Sequence, residues 1–560
     1  MRFSISGPGE IWLRWGVLLA AALMFHASTI LFGLVNPFPH DFFIHYRWVV
    51  EFADAFWDGD LYPRWMARAN FGLGEPTMLY YSPLFYYAAA VLRGVTGNAW
   101  DAMRLVMVIS TVLTGYFGYR LLRSFTGEYT ALAGAICLQW APLVQMTFNF
   151  MSEIPWAVSS SVLAAAIYYT TRPGAFSRLI DLPVAICVAL LVMTHVLSAM
   201  MLIICFSLAF LPYLRIGARG FAIGRPLYSW VLSVSFGMLL SAFYLFPAIL
   251  DLKYINPGTY IGALNMWSGF AFPLVTWKLY GLRWFAFQWP VAGVVLLCTA
   301  VATGIAMRRP DRSDRRGQAL RFLLIAAWAA IFLSSELSIP LWLLPAPLRM
   351  LQFPHRFIYI ASATGMLAAL LVLLERNPTG GRWMRLLSAL PLLIGLALSF
   401  YIVAKVVLVD GRPVNLSSDD RSLYEGAREY DLRSAGPGWH SYAKGDFERD
   451  CRRAGLDCKQ LPPTGDHLVF QVNAPKPQLV RLPTFAFPAW RATVDGAAAP
   501  LETNQGMVAV MLSQGRHEVA LTWRRLPEEI AGLWITLLTA AAALWLGWRQ
   551  RKVPVPGHGL

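Results

Sequence analysis

NPFPHDFFIHYRWVVEFADAFWDGDLYPRWMARANFGLGEPTMLYYSPL, residues 36–84, decides how the rest of the chain is read. It follows an apolar run at 11–35 at once and is rich in polar and charged residues. Asp41 and His45 are four apart, so a helix puts them on one face. Phe42, Tyr46, Val49, Val50, Ala53, Phe56 and Trp57 form an apolar stripe at helical spacing. The pattern predicts an amphipathic helix over 41–57, lying along a membrane surface with its acidic start at the water boundary. Asp58-Gly59-Asp60 ends it, Pro63 opens a second short helix, and Gly72-Leu73-Gly74-Glu75-Pro76 is a turn.

A membrane is implied by composition. Of 560 residues 57% are hydrophobic and 14% charged, more apolar surface than a soluble chain of this length can bury. The run at 11–35 is too long for a signal peptide and lacks a small-residue cleavage site, so it reads as a retained span. The net charge of +15 is explained by Arg and Lys clustered in short loops on the cytoplasmic side, so no nucleic-acid partner is implied.

A span takes about 20 apolar residues. Runs fall at 12–34, 79–95, 101–123, 129–148, 153–171, 181–214, 228–249, 287–307, 319–336, 356–374, 385–407 and 529–548. As one helix the 181–214 run would reach about 50 Å, beyond a core about 30 Å thick, so it divides into two short spans at His195. The 79–95 run is short, rich in Tyr and Pro, and closed by Arg93. If it does not cross, the arginine clusters at 120–123, 172–178, 215–225, 308–316, 376–385 and 549–552 all fall on the cytoplasmic side. The expectation is twelve spans with both termini cytoplasmic, or thirteen if 79–95 crosses.

This topology places 36–100, 149–153, His195, 250–286, 337–355 and 409–527 outside. From about residue 465 the last of these is rich in strand patterns: HLVFQVNA, QLVRLPTF, ATVDGAAAPLETNQ, MVAVMLSQG and RHEVALTWR, with Asp495-Gly496 as a hairpin turn. The expected division is a transmembrane domain at 1–408, an extracytoplasmic β-sandwich at 409–527, and a last span with a cytoplasmic tail at 528–560. Cys451 and Cys458 lie in this outer region, where a local disulfide is favoured. The other four cysteines sit in apolar runs as packing residues.

Candidate chemistry lies in the outer segments. Asp41 is suited to ligate a divalent metal or act as general base, and is equally well read as the cap of its helix. His40 and His45 flank it. Glu153, in FNFMSEIPWA, is the second carboxylate, or else a first-turn acid favouring a helix dipole. Arg64, Arg349, His355 and Arg356 are cationic on a side that should be poor in cations; they suit a lipid phosphate or snorkel to headgroups. His195 is an ionisable group at membrane depth, and Tyr81 is a further substrate contact in the first loop. Tyr254, Tyr260, Trp267, Trp277, Tyr280 and Trp284 fit a sugar-stacking loop or an aromatic belt. Trp439, Trp490 and Trp523 could meet carbohydrate, though the latter two sit in strand-like, core-type segments. There is no phosphate-binding P-loop, no G-x-G-x-x-G and no nucleophile elbow.

One span, an outer loop opening on an acid, short surface helices and a Pro-Leu-Phe-Tyr-Tyr segment together resemble the GT-C superfamily of polyprenyl-phosphate-dependent glycosyltransferases. HDFFIHYRW, GDLYPRW with GLGEPTMLYYSPL, and LQFPHRF resemble the bacterial membrane proteins labelled 6-pyruvoyl-tetrahydropterin synthase-related. The sequence offers no zinc–histidine triad to match that label. PAWRATVDGAAAPLETNQGMVAVMLSQGRHEVALTW resembles the C-terminal region of YfhO-like membrane proteins. The GT-C resemblance implies catalysis by Asp41 and Glu153, with Mg or Mn as the metal if one is used. It also implies a polyprenyl-phosphate-linked sugar donor, an envelope glycan, lipid or protein as acceptor, and a bacterial inner membrane with a periplasmic active face. His-Asp stands where the family has Asp-x-Asp or Asp-Glu. The alternatives are a lipid-linked-saccharide transporter, for which the spans hold too few charges, and a non-catalytic envelope assembly protein.

Overall fold

A computed structural model describes residues 8–35, 41–217, 220–256, 269–274, 288–308, 314–344, 351, 353–375, 381–413, 430, 432–435, 446–462 and 467–552. His40, Arg349, Tyr260, Trp267, Trp277, Tyr280, Trp284 and Trp439 lie outside them.

Among the described residues, seven helices are long and apolar enough to cross a membrane, or up to nine if two bent pairs each count as one span. The protein is a polytopic helical membrane protein. The Ala99–Arg123 helix packs against Glu128–Gln139 and Ile154–Thr171. Ile358–Leu373 is buried along nearly its whole length between Gln288–Met307 and Arg315–Leu333. Leu84–Thr96 has 13 residues, about 20 Å of helix, and stops at Gly97 in a left-handed conformation.

The Phe42–Trp57 helix forms, but it does not rest on a membrane with its polar face in water. His45, Arg47 and Glu51 are buried along with Phe42, Trp48, Val49 and Phe52. The helix is covered on its polar side because the next forty residues fold back over it, with Met66 pairing Glu75 across the turn. Gly74, at φ +78°, presses against Trp65 so closely that a Cβ would strike the indole.

The C-terminal region holds two antiparallel sheets. The larger runs Asp457–Gln460, His467–Ala474, Gly515–Trp523, Trp490–Val494, Ala497–Ala499. The smaller runs Glu502–Asn504, Met507–Leu512, Gln478–Phe485. Asp495 and Gly496 have φ of 51° and 82° and make the two-residue turn between Val494 and Ala497. Gln505 and Gly506 repeat this turn between Asn504 and Met507. Cys451 and Cys458 are joined as a disulfide, Cα to Cα 6.0 Å.

The sheets seat on the first outer loop. Trp490 and Trp523, with Phe487, surround the Trp65 ring at centroid distances of 5.1, 5.8 and 6.3 Å. The Phe485 N–H donates to the Leu73 carbonyl at 2.9 Å. These tryptophans therefore pack the junction and offer no open face to carbohydrate.

Candidate functional site

Asp41 and Glu153 both stand at N-cap positions, of the Phe42–Trp57 and Ile154–Thr171 helices, yet neither side chain makes a capping hydrogen bond. Neither acid thus closes a side-chain cap, while both stand at the positive end of a helix dipole. Asp41 acts electrostatically on His45, His195 and Tyr86, so the first loop and the break between two later helices face one another. His45 Nδ1 is 2.8 Å from the Tyr86 hydroxyl, and its ring packs 5.6 Å from Tyr81. Burial outweighs the nearby Asp41 carboxylate and pulls the His45 pKa down to about 4, so the ring is neutral at neutral pH.

His195 is the single extended residue between Leu182–Thr194 and Val196–Phe210. The break is bridged from the first loop. In an unbroken helix the Val196 N–H would bond the Val192 carbonyl. Here Ser82 Oγ accepts from Val196 N at 3.0 Å and donates to Val192 O at 2.9 Å. The serine of YYSPL thus takes the place of the missing helical bond and ties the first loop to the break at His195. Ser82→Ala leaves both backbone groups without that partner, and the expected cost is about 1–3 kcal/mol in the unfolding of the full chain in detergent. Ser82→Thr keeps the hydroxyl and should recover most of it; equal losses in both variants would count against the bridge.

The Ser198 backbone N–H donates to His195 Nδ1 at 3.2 Å, which places the proton of the neutral ring on Nε2. Ser198 Oγ continues to Ser159 Oγ (3.0 Å) and that to the Tyr359 hydroxyl (2.7 Å). Trp156, three residues after Glu153, stacks on His195 with ring centroids 6.1 Å apart. The Arg356 guanidinium lies 5.9 Å over the same indole. Trp156 therefore ties Glu153's helix to both His195 and Arg356. Asp41, His45, Tyr81, His195, Arg356 and the start of Glu153's helix form one cluster.

Two expected ligands are placed elsewhere. Arg64, read from the sequence as a phosphate ligand, is buried in an ion pair with Glu529 of the last helix and lies over the Tyr62 ring at 4.2 Å. A guanidinium enclosed by its own carboxylate has no reason to exchange it for a lipid. His355 turns to the Gly269 carbonyl, with Nδ1 at 3.1 Å, and stacks on Phe353. Among the described residues no three His, Cys, Asp or Glu side chains gather as metal ligands.

Sequence reasoning passed over Glu75. It is 1% exposed and receives the Thr77 hydroxyl (2.6 Å) and the Trp48 indole N–H (3.3 Å), with Arg47 at 3.6 Å. Its place in a Gly-Pro turn gave no sign of burial. Glu51 lies in the same network and accepts the Arg68 N–H at 2.9 Å. Burial, only partly offset by Arg47, lifts the Glu51 pKa to about 7. With the folded value above the ordinary 4.5, the associated stability is full below pH 4.5 and is lost as pH rises through about 7. Glu51→Gln should therefore match wild type at low pH and exceed it by about 3 kcal/mol at pH 8. Thermal unfolding across pH 4–9 checks this; a difference that does not change with pH would contradict it.

No family model matches the chain, and no curated protein does. Among solved structures it is similar to the arabinofuranosyltransferase AftD from Mycobacteria, at 16% identity and TM-score 0.44, over 73% of this chain and 28% of that one. It is similar to the Archaeoglobus fulgidus oligosaccharyltransferase at 14% identity and TM-score 0.42, over 73% and 57% of the two chains. It is also similar to ArnT from Cupriavidus metallidurans bound to undecaprenyl phosphate, at 12% identity and TM-score 0.30, over 66% and 78%. The chain thus spans well under two thirds of the first two.

Proposed function

We propose that the protein is a membrane glycosyltransferase that moves a sugar from a polyprenyl-phosphate donor to an extracytoplasmic acceptor. The observation that carries this is the convergence of the Asp41 carboxylate with neutral His45, His195 and Arg356, on residues scattered over more than three hundred positions of the chain. Asp41 takes the proton of an acceptor hydroxyl, and the freed oxygen attacks the anomeric carbon from the face opposite the phosphate. The anomeric C–O bond breaks toward the lipid, and the electron pair leaves on the polyprenyl phosphate. Arg356 and the Nε2–H of His195 meet that growing charge. Glu153 stands at the acceptor side with Asp41. The same reading sets twelve spans in a bacterial inner membrane, with both termini cytoplasmic and 409–527 folded as a periplasmic β-sandwich.

The test is binding of a short polyprenyl phosphate to the purified protein in detergent. Arg356→Ala should weaken binding by about 1.5–3 kcal/mol, the worth of a charged hydrogen bond, while Asp41→Asn leaves it unchanged. No binding in wild type or either variant would remove the lipid donor and move the transporter and assembly readings ahead.

A further inference from the structure

A cavity of about 350 Å³ opens where the sheets meet the membrane-embedded part. That size falls at the lower end of the range of about 300–1,000 Å³ usual for small-ligand sites. Tyr254 and Phe487, with rings 5.4 Å apart, form part of its wall together with exposed Pro488. Arg433, Glu502 and Thr503 stand at its rim, all exposed. The rim charges are nearly balanced. Lys253 is met by Asp251 (3.6 Å) and Glu528 (3.3 Å), and Arg433 and Glu502 both line the cavity. Among the described residues, the one hydrogen bond Arg433 makes is from Nε to the Ile255 carbonyl at 2.8 Å.

An aromatic and aliphatic wall beside cationic, carboxylate and hydroxyl side chains is the chemistry that takes a neutral sugar. Ring C–H faces lie on the wall, while vicinal hydroxyls bond donor and acceptor together. The cavity also adjoins the site. Tyr430, three residues before Arg433 and so within about 10 Å along the chain, packs on Trp48, Tyr80 and Tyr81. Tyr81 packs in turn on His45. The Tyr80 hydroxyl donates to the Asp251 carbonyl at 2.8 Å, two residues from Lys253.

We infer that this cavity is the acceptor subsite and holds a neutral saccharide, one or two sugar units back from the reacting hydroxyl. The inference rests on the transferase reading and extends it to the acceptor. The test uses the full chain in lipid nanodiscs, free of glycosidic detergent, titrated calorimetrically with maltotriose, mannotriose and chitotriose, and with sorbitol as an open-chain polyol. At least one trisaccharide should bind saturably and sorbitol should not. Arg433→Ala should weaken that binding by about ten-fold, the effect of losing one good hydrogen bond. Thr503→Trp, which fills the cavity from an exposed edge strand, should abolish it, and Asp41→Asn should leave it intact. Saturable binding by none of the three trisaccharides, or binding that survives both Arg433→Ala and Thr503→Trp, overturns the inference. Loss of polyprenyl-phosphate binding with saccharide binding retained would sink the donor reading alone.

Discussion

Asp41→Asn is expected to lower sugar transfer by about 10²- to 10⁴-fold, the usual contribution of a positioned general base. Asparagine keeps the size of the side chain and one acceptor oxygen, so the fold and donor binding should hold while the proton acceptor is lost. The loss belongs in kcat, because the base acts only as the acceptor oxygen attacks. No neighbour offers an equal replacement. His45 is neutral, buried and engaged with Tyr86, and burial disfavours its protonated form. His195 receives the Ser198 N–H on Nδ1, which leaves Nε2 as a donor. Glu153→Gln should cost less, because in the proposed reaction Asp41 and not Glu153 takes the proton. The measurement is single-turnover transfer from a synthetic polyprenyl-phosphate sugar. If Asp41→Asn and Glu153→Gln both transfer at the wild-type rate, the assignment of these carboxylates is wrong.

Arg64→Ala is expected to destabilise the protein by about 3–5 kcal/mol. The side chains of Arg64 and Glu529 are only 9% and 1% exposed. Removing the arginine leaves a carboxylate buried against Tyr62, with the Leu526 N–H (3.0 Å) and the Trp523 indole (3.4 Å) as its remaining donors. Those two bonds do not balance a buried charge. The pair also joins the first outer loop to the start of the last helix, so its loss should loosen the seat of the sheets around Trp65. The double variant Arg64→Met/Glu529→Leu removes both charges and should recover most of the stability. The contrast with the lipid-ligand reading is direct. If Arg64 held a phosphate, Arg64→Ala would weaken polyprenyl-phosphate binding and leave thermal unfolding unchanged.

The class of the protein and the edges of its sheets were legible because both are written in local pattern. Long apolar runs need a membrane whatever they pack against, the strand at 467–474 alternates buried and more open positions, and Asp495-Gly496 marks a turn. Asp41 stood out because an acid at the exit of an apolar run is conspicuous in itself. Arg64 misled for the same reason, since a cation on the outer side carries no mark of its partner, and Glu529 lies 465 residues away. Ser82 gave no signal; its role exists only because a helix breaks at His195.

The sequence by itself determined that this is a polytopic membrane protein with a strand-rich C-terminal region, because hydropathy and turn chemistry act over a few residues. The tertiary structure alone decided which charges are neutralised and which face a common site. That choice depends on contacts between segments hundreds of residues apart, where burial and the nearest opposite charge, and not the residue type, set what a side chain can do.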